Sequence, residues 1–365
     1  MEAASNGETL RVGIIGAGGI ATAHGIAWQA NAPRGQIVAI ADVSEPRARA
    51  LATRFADDSA RIYDGIDSLL EDDEVEAVDI CLPHHLHADA IIAAAHAGKA
   101  ILCEKPLCTS LADAARIDAA LEETGATFIM AHNQLFQPSL VEARKLLAAG
   151  IIGRPYFYRS IESFQNRGAL NPPATSTLPP GESPWAWRSD PKRMGGGEVL
   201  DTGWHASYRL LALAGDDRPT EVTAMMERFF LPKTTGTESE DTGALLVRFA
   251  SGAIGEILTT WAFATVDGWQ FEVMGEHGSL AGGERRVAHQ LHAWPQPAIQ
   301  THDPVHTFTE EVTHFLDVVQ RGATSLAPFS EGARVLQLTM AAYTAVAERR
   351  TVTLPENPAE AGTIA

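Results

Sequence analysis

Residues 10–21 read Leu10-Arg11-Val12-Gly13-Ile14-Ile15-Gly16-Ala17-Gly18-Gly19-Ile20-Ala21, an apolar run followed by a glycine-rich turn. The run predicts a buried strand, and residues 21–30, rich in helix formers, predict a helix. A G-x-G-x-x-A turn between a strand and a helix is typical of dinucleotide binding. Gly16 permits the tight turn, Gly18 lets the backbone approach a pyrophosphate, and Ala21 allows close helix–strand packing. We therefore expect phosphates at the start of this helix.

A second strand is predicted at residues 36–41, and it ends in Asp42. An acid at this position accepts hydrogen bonds from the adenosine ribose and repels a 2′-phosphate. Asp42 therefore favours NAD over NADP. Arg47 follows closely and could receive a 2′-phosphate, so NADP is not excluded. Alternatively, Asp42 is an N-cap for the helix predicted at residues 45–55.

The alternation of strand and helix patterns continues through the first half of the chain. A parallel α/β sheet is the architecture that such alternation predicts, and its ligands bind at the carboxyl ends of the strands. The predicted strands are 77–82, 100–102 and 127–131, and the predicted helices are 88–97, 111–124 and 139–149.

Three histidines follow the strand at 77–82, in the segment Leu82-Pro83-His84-His85-Leu86-His87. A metal site is one interpretation, but no acidic or cysteine ligand lies nearby and the spacing fits no common zinc pattern. Contact with the cofactor, or capping of the next helix, is favoured instead, and we predict no metal ligand.

The segment Glu104-Lys105-Pro106 follows the strand at 100–102. A lysine fixed by a proline at a strand end is well placed to donate a hydrogen bond to a bound hydroxyl or carbonyl. The alternative is a solvent-facing Lys–Glu pair.

The chain changes character after residue 151. A strand is predicted at 155–161, and residues 165–194 form a long segment dense in Pro, Ser, Thr and Gly. Long loops in compact domains are usually functional. Trp185, Trp187 and Arg188 are therefore candidate substrate contacts, with stacking of the tryptophans on a sugar ring and hydrophobic anchoring as equal alternatives.

Two residues four apart, Asp201 and His205, follow the glycines of Gly195-Gly196-Gly197. In the helix predicted at 201–214 they would share a face. A carboxylate beside an imidazole orients a general base. The alternative is a helix-start acid and an unrelated surface histidine.

A mostly antiparallel sheet is predicted for the second half. Its strands are 221–230, 243–249, 253–260 and 269–274, with weaker patterns at 279–280 and 287–291, and helices are predicted at 304–320 and 330–350. The alternation of apolar and polar residues leaves one sheet face uncovered. We expect a homodimer or homotetramer through this face.

Length and composition restrict the class of protein. The 365 residues predict two domains, 1–135 and 136–354, and a flexible tail at 355–365. The net charge of -18 argues against nucleic acid or an anionic membrane as a partner. Cys81 and Cys103 are expected to be buried thiols rather than parts of a disulfide framework. No signal peptide or membrane span is recognisable, so we expect a cytoplasmic protein.

The motifs together resemble the Gfo/Idh/MocA family of NAD(P)-dependent oxidoreductases over nearly the whole chain. Residues 16–21 are similar to its dinucleotide turn, and residues 83–87 to its P-N-x-x-H element. Residues 104–106 match its E-K-P signature, residues 133–138 its N-x-x-F-x-P segment, and residues 195–205 its G-G-G-x-x-x-D-x-x-x-H signature. His84 stands where the family often has Asn. Gln134 and Leu135 stand where basic residues are common, which disfavours a substrate phosphate or carboxylate there.

The resemblance implies a Rossmann domain, a second α/β domain with a large open sheet, and a hydride transfer. His205 would take the proton of a secondary ring hydroxyl, Lys105 would stabilise the alkoxide, and Asp201 would orient His205. The implied cofactor contacts are Gly16, Ala17, Gly18, Gly19, Ile20, Asp42, Leu82, Pro83, His84, His87, Glu104, Lys105 and Asn133.

The implied substrate is a cyclitol, sugar or glycoside. Three alternatives stay open at this point: a keto-sugar reductase, an NAD-dependent glycosidase, and a non-catalytic NAD-sensing regulator. The lysine, aspartate and histidine together argue against the regulator, because a sensor has no need of a proton-transfer set.

Overall fold

The computed structural model describes residues 9–163, 187, 190–229, 239–265 and 268–356. The chain divides into two compact units. The first unit contains Met1–Asn133 and His306–Gly332, and the second contains Gln134–Val305 and Ala333–Ala365. Residues 306–332, which the sequence analysis placed in the second domain, thus group with the first unit.

Strands and helices alternate in the first third of the chain, and strands dominate the middle. The strands are β1 Leu10–Ile15, β2 Gly35–Ala41, β3 Arg61–Tyr63, β4 Ala77–Ile80, β5 Ala100–Glu104, β6 Phe128–Ala131, β7 Pro155–Ser163, β8 Pro219–Glu227, β9 Thr242–Phe249, β10 Ile254–Thr260, β11 Trp269–Gly275, β12 Gly278–Gly283, β13 Arg286–Leu291, β14 Ala298–Thr301 and β15 Val352–Thr353. The helices are α1 Gly19–Ala30, α2 Glu45–Phe55, α3 Ile66–Leu70, α4 His87–His96, α5 Leu111–Thr124, α6 Pro138–Ala148, α7 Pro191–Met194, α8 Gly203–Ala214, α9 Thr307–Arg321 and α10 Phe329–Glu348.

The first unit is built on a parallel sheet. Within the described residues its strand order is β3-β2-β1-β4-β5-β6, and every pairing is parallel. All four residues of β4 and all five of β5 are buried. Burial on both faces favours apolar residues at successive positions, which explains why these segments lack an alternating pattern; Asp79 in β4 and Glu104 in β5 are the charged exceptions. The predicted doubly wound parallel sheet is confirmed.

Helix α9 belongs with this sheet because its polar side chains bond to the end of α1. The side-chain amide of Asn31 donates to the Thr309 carbonyl at 3.1 Å, and the Thr313 hydroxyl donates to Asn31 Oδ1 at 2.8 Å. The rings of Trp28 and Phe315 pack edge to face with centroids 6.0 Å apart. These contacts join segments almost 300 residues apart, which no local pattern in the sequence reveals.

The second unit is built on a larger sheet that is mostly antiparallel, as predicted. Its order in the described part of the chain is β14-β13-β12-β11-β7-β10-β9-β8-β15. Strands β7 and β10 pair in parallel, and the other pairings are antiparallel. Burial alternates along β9, where Leu245 and Val247 are buried while Leu246 and Arg248 are exposed. One face of this sheet is therefore packed and the other is open within the unit.

The described residues bear on three smaller predictions. Cys81 and Cys103 are free, buried thiols, which confirms the expectation for both. The helix that carries His205 begins at Gly203, two residues later than predicted, so Asp201 lies in the preceding turn. Among the described helices, none has both the length and the hydropathy needed to cross a membrane.

Candidate active site

The glycine-rich turn joins β1 to α1 in the first unit. Gly16 has a φ of +96°, and a Cβ there would lie 2.6 Å from the Cys81 carbonyl oxygen, so only glycine fits. A Cβ added at Gly18 or Gly19 would meet no described atom within 4 Å. Helix α1 starts without a side-chain cap or an acidic residue in its first turn. Its amino end is thus open and suited to a pyrophosphate, as the motif predicts.

Asp42 follows β2 and organises the backbone beside this turn. Its Oδ2 accepts the Ala17 N–H at 2.7 Å, and its Oδ1 accepts the Ser44 N–H at 2.7 Å. The Arg47 guanidinium donates to the same Oδ1 at 2.9 Å. Asp42 therefore holds Arg47, the cation that could otherwise receive a 2′-phosphate. The proposed N-cap role is absent, because Ser44 precedes α2.

We expect Asp42→Ser to shift the cofactor preference from NAD towards NADP. The change removes a charge that repels the 2′-phosphate and releases Arg47 to pair with it. A charge-assisted hydrogen bond contributes about 1.5–3 kcal/mol, so the ratio of kcat/KM values for the two cofactors should change roughly 10- to 100-fold. Asp42→Ser/Arg47→Ala is the control and should lose the gain with NADP. Equal losses with both cofactors would contradict the role of Asp42.

His87 connects two of the predicted motifs inside the first unit. It is fully buried, its Nδ1 lies 2.7 Å from the Pro106 carbonyl oxygen, and its Nε2 lies 2.9 Å from that of Leu82. Burial lowers the pKa of His87, and hydrogen bonding to the two carbonyls only partly opposes this effect. His87 therefore fixes the loop after β4 against the segment after β5. Cofactor contacts by His84, Leu82, Pro83 and His87 stay predictions.

The Glu104 carboxylate points into the unit rather than to solvent. Its Oε2 accepts the Lys105 N–H at 2.9 Å, and its Oε1 lies 3.1 Å from His24 Nε2. Lys105 is the first residue after β5, at the carboxyl edge of the parallel sheet. The alternative of a solvent-facing Lys–Glu pair does not describe this arrangement, because Glu104 is only 7% exposed.

Two polar residues follow β6 near the same edge. Burial lowers the pKa of His132 to about 3, and the Lys105 charge acts in the same direction. His132 is thus a neutral side chain close enough to Lys105 to sense its charge. Asn133, a predicted cofactor contact, donates from Nδ2 to the Thr307 hydroxyl at 3.0 Å.

In the second unit, Glu240 and Tyr343 hold the glycine-rich segment that precedes His205. The Gly197 N–H donates to the Tyr343 hydroxyl at 3.0 Å, and that hydroxyl donates to Glu240 Oε1 at 2.8 Å. A Cβ at Gly196 would overlap the Tyr343 hydroxyl, and one at Gly197 would overlap the Glu240 carbonyl. The glycines are therefore needed for close packing inside the second unit.

Glu198 is a fully buried acid within this segment. Its Oε1 accepts hydrogen bonds from the hydroxyls of Thr202, at 2.5 Å, and Thr259, at 2.6 Å. Burial raises the pKa of Glu198 well above its usual value, and the hydroxyl bonds oppose the shift only partly. Burial therefore favours the neutral form of Glu198, and its hydrogen bonds tie the turn before α8 to β10.

We expect Glu198→Gln to gain stability relative to the wild type as the pH rises. The unfolded chain loses this proton near the ordinary pKa of 4.5, whereas the folded chain retains it, so wild-type stability falls as pH rises above that value. The neutral amide of glutamine removes this dependence of the free energy of unfolding on pH, which is at most about 1.4 kcal/mol per pH unit. Thermal melts of both proteins between about pH 5 and about pH 8 measure it. The control Glu276→Gln changes an exposed residue, and its difference in stability from the wild type should not vary with pH. A pH-independent difference for Glu198→Gln would contradict the neutral state of Glu198.

His205 lies in the first turn of α8, and its ring is held by Tyr208. Nδ1 of His205 lies 3.0 Å from the Tyr208 hydroxyl, and the two rings meet at 74°. The Tyr208 hydroxyl also accepts the Gln134 N–H at 3.1 Å. Asp201 is buried in the turn before the helix, where its N–H donates to the Gly197 carbonyl at 3.1 Å. The predicted helix start at residue 201 is therefore wrong, and the orienting role of Asp201 towards His205 stays a prediction.

The side chain of Gln134 bonds to a buried arginine of the second unit. Arg209 donates to Gln134 Oε1, to Glu162 Oε2 and to the Ile161 carbonyl, the last at 2.9 Å. Gln134 stands where the family often has a basic residue. An amide accepts a hydrogen bond from Arg209, whereas a cation would repel it.

Trp187 packs against Met194 and Trp261. This contact agrees with the hydrophobic anchor that the sequence analysis allowed. Trp185 and Arg188 lie outside the described residues, so all three substrate contacts stay predictions.

Comparison with known families decides the classification. The family model of the Gfo/Idh/MocA oxidoreductases with an NAD-binding Rossmann fold matches residues 10–132. The model of the Gfo/Idh/MocA C-terminal domain matches residues 140–281. The chain belongs to the Gfo/Idh/MocA oxidoreductase family. The predicted fold, the enzyme class and the NAD-binding domain are thereby confirmed.

Members of the Gfo/Idh/MocA family from several bacteria are similar to this chain. An inositol 2-dehydrogenase from Rhizobium meliloti (strain 1021) is 28% identical over 360 residues, which is 95% of this chain and 99% of the relative. A 1,5-anhydro-D-fructose reductase from Ensifer adhaerens is 32% identical over 274 residues, or 74% and 75% of the two chains. The structure of a levoglucosan dehydrogenase with NADH and levoglucosan has a TM-score of 0.84 at 24% identity, covering 96% of this chain and 100% of that chain, and shows the shared fold.

Some residues that hold the predicted site residues in place in this Gfo/Idh/MocA member were not predicted from the sequence. Tyr208 could have been predicted, because it follows His205 by three residues on the same helix, and side chains at that spacing are neighbours. The contact of Glu104 with His24 spans 80 residues of sequence, and no spacing rule points to it.

Proposed function

We propose that the protein is an NAD-dependent dehydrogenase that oxidises a secondary ring hydroxyl of a cyclitol, sugar or glycoside to the ketone. One observation carries this proposal: Lys105 directly follows β5 at the carboxyl edge of an NAD-binding parallel sheet. That edge is where open α/β sheets bind their ligands. The inositol 2-dehydrogenase relative, similar over nearly the whole chain, supports a ring alcohol as substrate.

The described residues fit a dinucleotide. The open amino end of α1 suits the pyrophosphate, and Asp42 at the end of β2 suits a ribose without a 2′-phosphate. NAD, when bound, supplies the hydride acceptor for the reaction.

The proton of the alcohol is handled by residues of this chain. We assign His205 as the general base that takes the hydroxyl proton while the carbon–hydrogen bond breaks. Lys105 donates a hydrogen bond to the same oxygen and stabilises its developing negative charge. Asp201 is proposed to orient His205. The alcohol thus becomes a ketone, one NAD is reduced, and one proton is released.

The reverse reaction is the second candidate function. The 1,5-anhydro-D-fructose reductase relative favours it, since its name describes reduction. In that direction Lys105 polarises the carbonyl and His205 returns the proton, so the same residues act on the same oxygen.

Nicotinamide absorbance tests the proposal. Wild-type protein is assayed with NAD and NADP against inositols, aldoses and glycosides, and with NADH against keto sugars including 1,5-anhydro-D-fructose. We expect NAD reduction with at least one ring polyol. Turnover with keto sugars alone would favour the reductase, and release of an aglycone without NADH accumulation would favour the glycosidase. Tight NADH binding with no turnover would contradict both enzymatic directions.

We also propose that the open face of the large sheet joins copies of this chain in a homodimer or homotetramer. The face combines exposed apolar side chains, among them Leu246, Met225 and Ile254, with an ion cluster. Arg159 pairs there with Glu256 at 2.9 Å and Glu272 at 2.8 Å. Exposed large apolar side chains that share one sheet face are typical of an interface.

We expect Leu246→Glu to dissociate the oligomer. A carboxylate on the apolar part of the face loses its hydration on association, which costs several kcal/mol, enough to shift the dissociation constant by roughly 100-fold or more. Light scattering after size exclusion measures the mass. Val305→Glu, an exposed position outside the sheet, is the control and should keep the wild-type mass. A wild-type monomer would contradict the proposal.

A further inference from the structure

Four titratable side chains form a buried acid–histidine cluster in the first unit: His24, Asp79, Glu104 and Glu311. They come from α1, β4, β5 and α9, and none is more than 7% exposed. Charged groups are rarely buried without a strong reason, because the loss of hydration is costly. The reaction proposed above uses none of His24, Asp79 and Glu311, so their burial requires a separate explanation.

Hydrogen bonds order this acid–histidine cluster around His24. Nδ1 of His24 lies 2.8 Å from Asp79 Oδ2, and Nε2 lies 3.1 Å from Glu104 Oε1. The Trp28 indole N–H donates to Asp79 Oδ2 at 2.7 Å. An ionised carboxylate only accepts hydrogen bonds, so both ring nitrogens donate when the ring is an imidazolium.

The charges of the cluster agree with this geometry. Burial is the largest single effect on the pKa of His24 and lowers it, but the charge and hydrogen bond of Asp79, together with Cys81, raise that pKa well above its usual value. Burial raises the pKa of Glu311 well above its usual value, and neither of its oxygens has a hydrogen-bond partner in the described part of the chain. Burial also raises the pKa of the neighbouring Cys81 thiol to about 12. The environment of the cluster therefore favours the protonated form of His24 and the neutral forms of Glu311 and Cys81.

Side chains of these types could also bind a metal ion. His24, Asp79 and Cys81 place ligand atoms within 4.8 Å of one another. However, the 2.8 Å separation of His24 Nδ1 from Asp79 Oδ2 is that of a direct hydrogen bond, and Nε2 faces Glu104. With both nitrogens used in this way, His24 has no lone pair directed at a cation.

The cluster connects to the reaction through Glu104. The carboxylate uses Oε1 for His24 and Oε2 for the Lys105 N–H, so one side chain links the imidazolium to the lysine backbone. Without His24, Oε1 of Glu104 would lose its hydrogen bond in the interior of the unit, where an unsatisfied polar group is costly. The carboxylate would then rotate towards another donor, and Glu104 would cease to be a fixed acceptor for Lys105.

We propose that His24 is a positioning residue for Lys105, acting through Glu104. It holds the Glu104 carboxylate in the orientation that fixes the Lys105 backbone, and thereby the origin of the lysine side chain. This inference rests on the role given to Lys105 in the proposed function. A displacement of about 1 Å at a reacting group lowers turnover by up to roughly 100-fold, so a remote residue has a measurable effect.

A double-mutant cycle separates positioning from general support of the fold. His24→Gln should lower kcat by about 10- to 100-fold in the wild type but by less than about 2-fold in Lys105→Met, since its effect passes through the lysine. NADH affinity should be unchanged. Trp28→Phe is the matched control: it removes a donor to Asp79 in the same cluster, leaves the His24–Glu104 contact intact, and should keep wild-type kcat. Equal losses in both backgrounds would overturn the proposal.

Amide exchange gives a second readout that needs no turnover. The chain has five lysines, so selective ¹⁵N-lysine labelling gives few amide signals. Exchange of the Lys105 amide should be about 10-fold faster or more in His24→Gln, because a lost hydrogen bond of about 1.4 kcal/mol corresponds to that factor. The Lys99 and Lys145 amides serve as internal controls and should not change.

Unchanged exchange at Lys105 would overturn the proposal, whatever the kinetics. If His24→Gln does not fold, Glu104→Gln is the second variant, because its amide oxygen can accept only one of the two hydrogen bonds. We expect the same loss of kcat and the same faster exchange of the Lys105 amide. A wild type that binds NADH but oxidises no polyol would contradict the proposed function, and the exchange measurement would still decide the role of His24.

Discussion

Lys105→Met will lower kcat for oxidation of the ring alcohol by on the order of 100- to 1,000-fold, the usual effect of removing a donor to a developing oxyanion. Methionine matches the length of lysine and lacks its charge and its hydrogen-bond donors. Because the lost bond strengthens only in the transition state, kcat and kcat/KM should fall together. Steady-state rates measure kcat and kcat/KM, and fluorescence measures the binding of NADH.

The control for this variant is Lys145→Met, which removes a lysine whose side chain is 70% exposed and lies on α6. It should behave as the wild type. If Lys105→Met retained near-wild-type turnover, Lys105 could not be the group that stabilises the alkoxide.

His205→Asn will lower kcat by about 100- to 10,000-fold, the range attributed to a general base. Asparagine is polar and shorter than histidine, but it does not accept a proton at neutral pH. Binding of NADH should be retained, because the implied cofactor contacts are other residues. Single-turnover rates of NADH formation separate this chemical step from product release.

Two further variants make the His205 result specific. His292→Asn changes an exposed histidine of the same unit and should have no effect. Tyr208→Phe keeps the ring that packs on His205 and removes the hydroxyl 3.0 Å from Nδ1, so its loss should be smaller, about 10-fold. A His205→Asn protein as active as the wild type would exclude His205 as the base.

The sequence predicted the elements that are long and strongly patterned. The parallel sheet followed from the turn at residues 16–21 and from apolar strands such as β4, and helix α5 was predicted with its observed bounds. The missed elements are the short ones: β3, α3, α7, β14 and β15. Short segments contain too few residues to show a period, and β14 is exposed throughout, so it has no apolar pattern.

The motif residues were predictable because turns and strand ends impose local requirements. Gly16 shows this, since its positive φ and close packing admit only glycine. The supporting residues were not predictable in the same way. His24 meets Asp79 and Glu104 only after three separate elements have packed, and hydrogen bonds between distant segments leave no periodic pattern. The helix start was predicted two residues too early for a local reason, because the chain forms a turn at Asp201 before α8 begins.

Transfer of deuterium from substrate to cofactor tests hydride transfer from a ring carbon directly. Wild-type protein is given NAD and a ring polyol deuterated at its C–H positions, and both products are analysed by mass spectrometry. We predict one deuterium in the reduced nicotinamide and a ketone that lacks it. If the protein binds NADH yet no deuterium reaches the nicotinamide from any inositol, aldose or glycoside, the protein is not a dehydrogenase of ring alcohols.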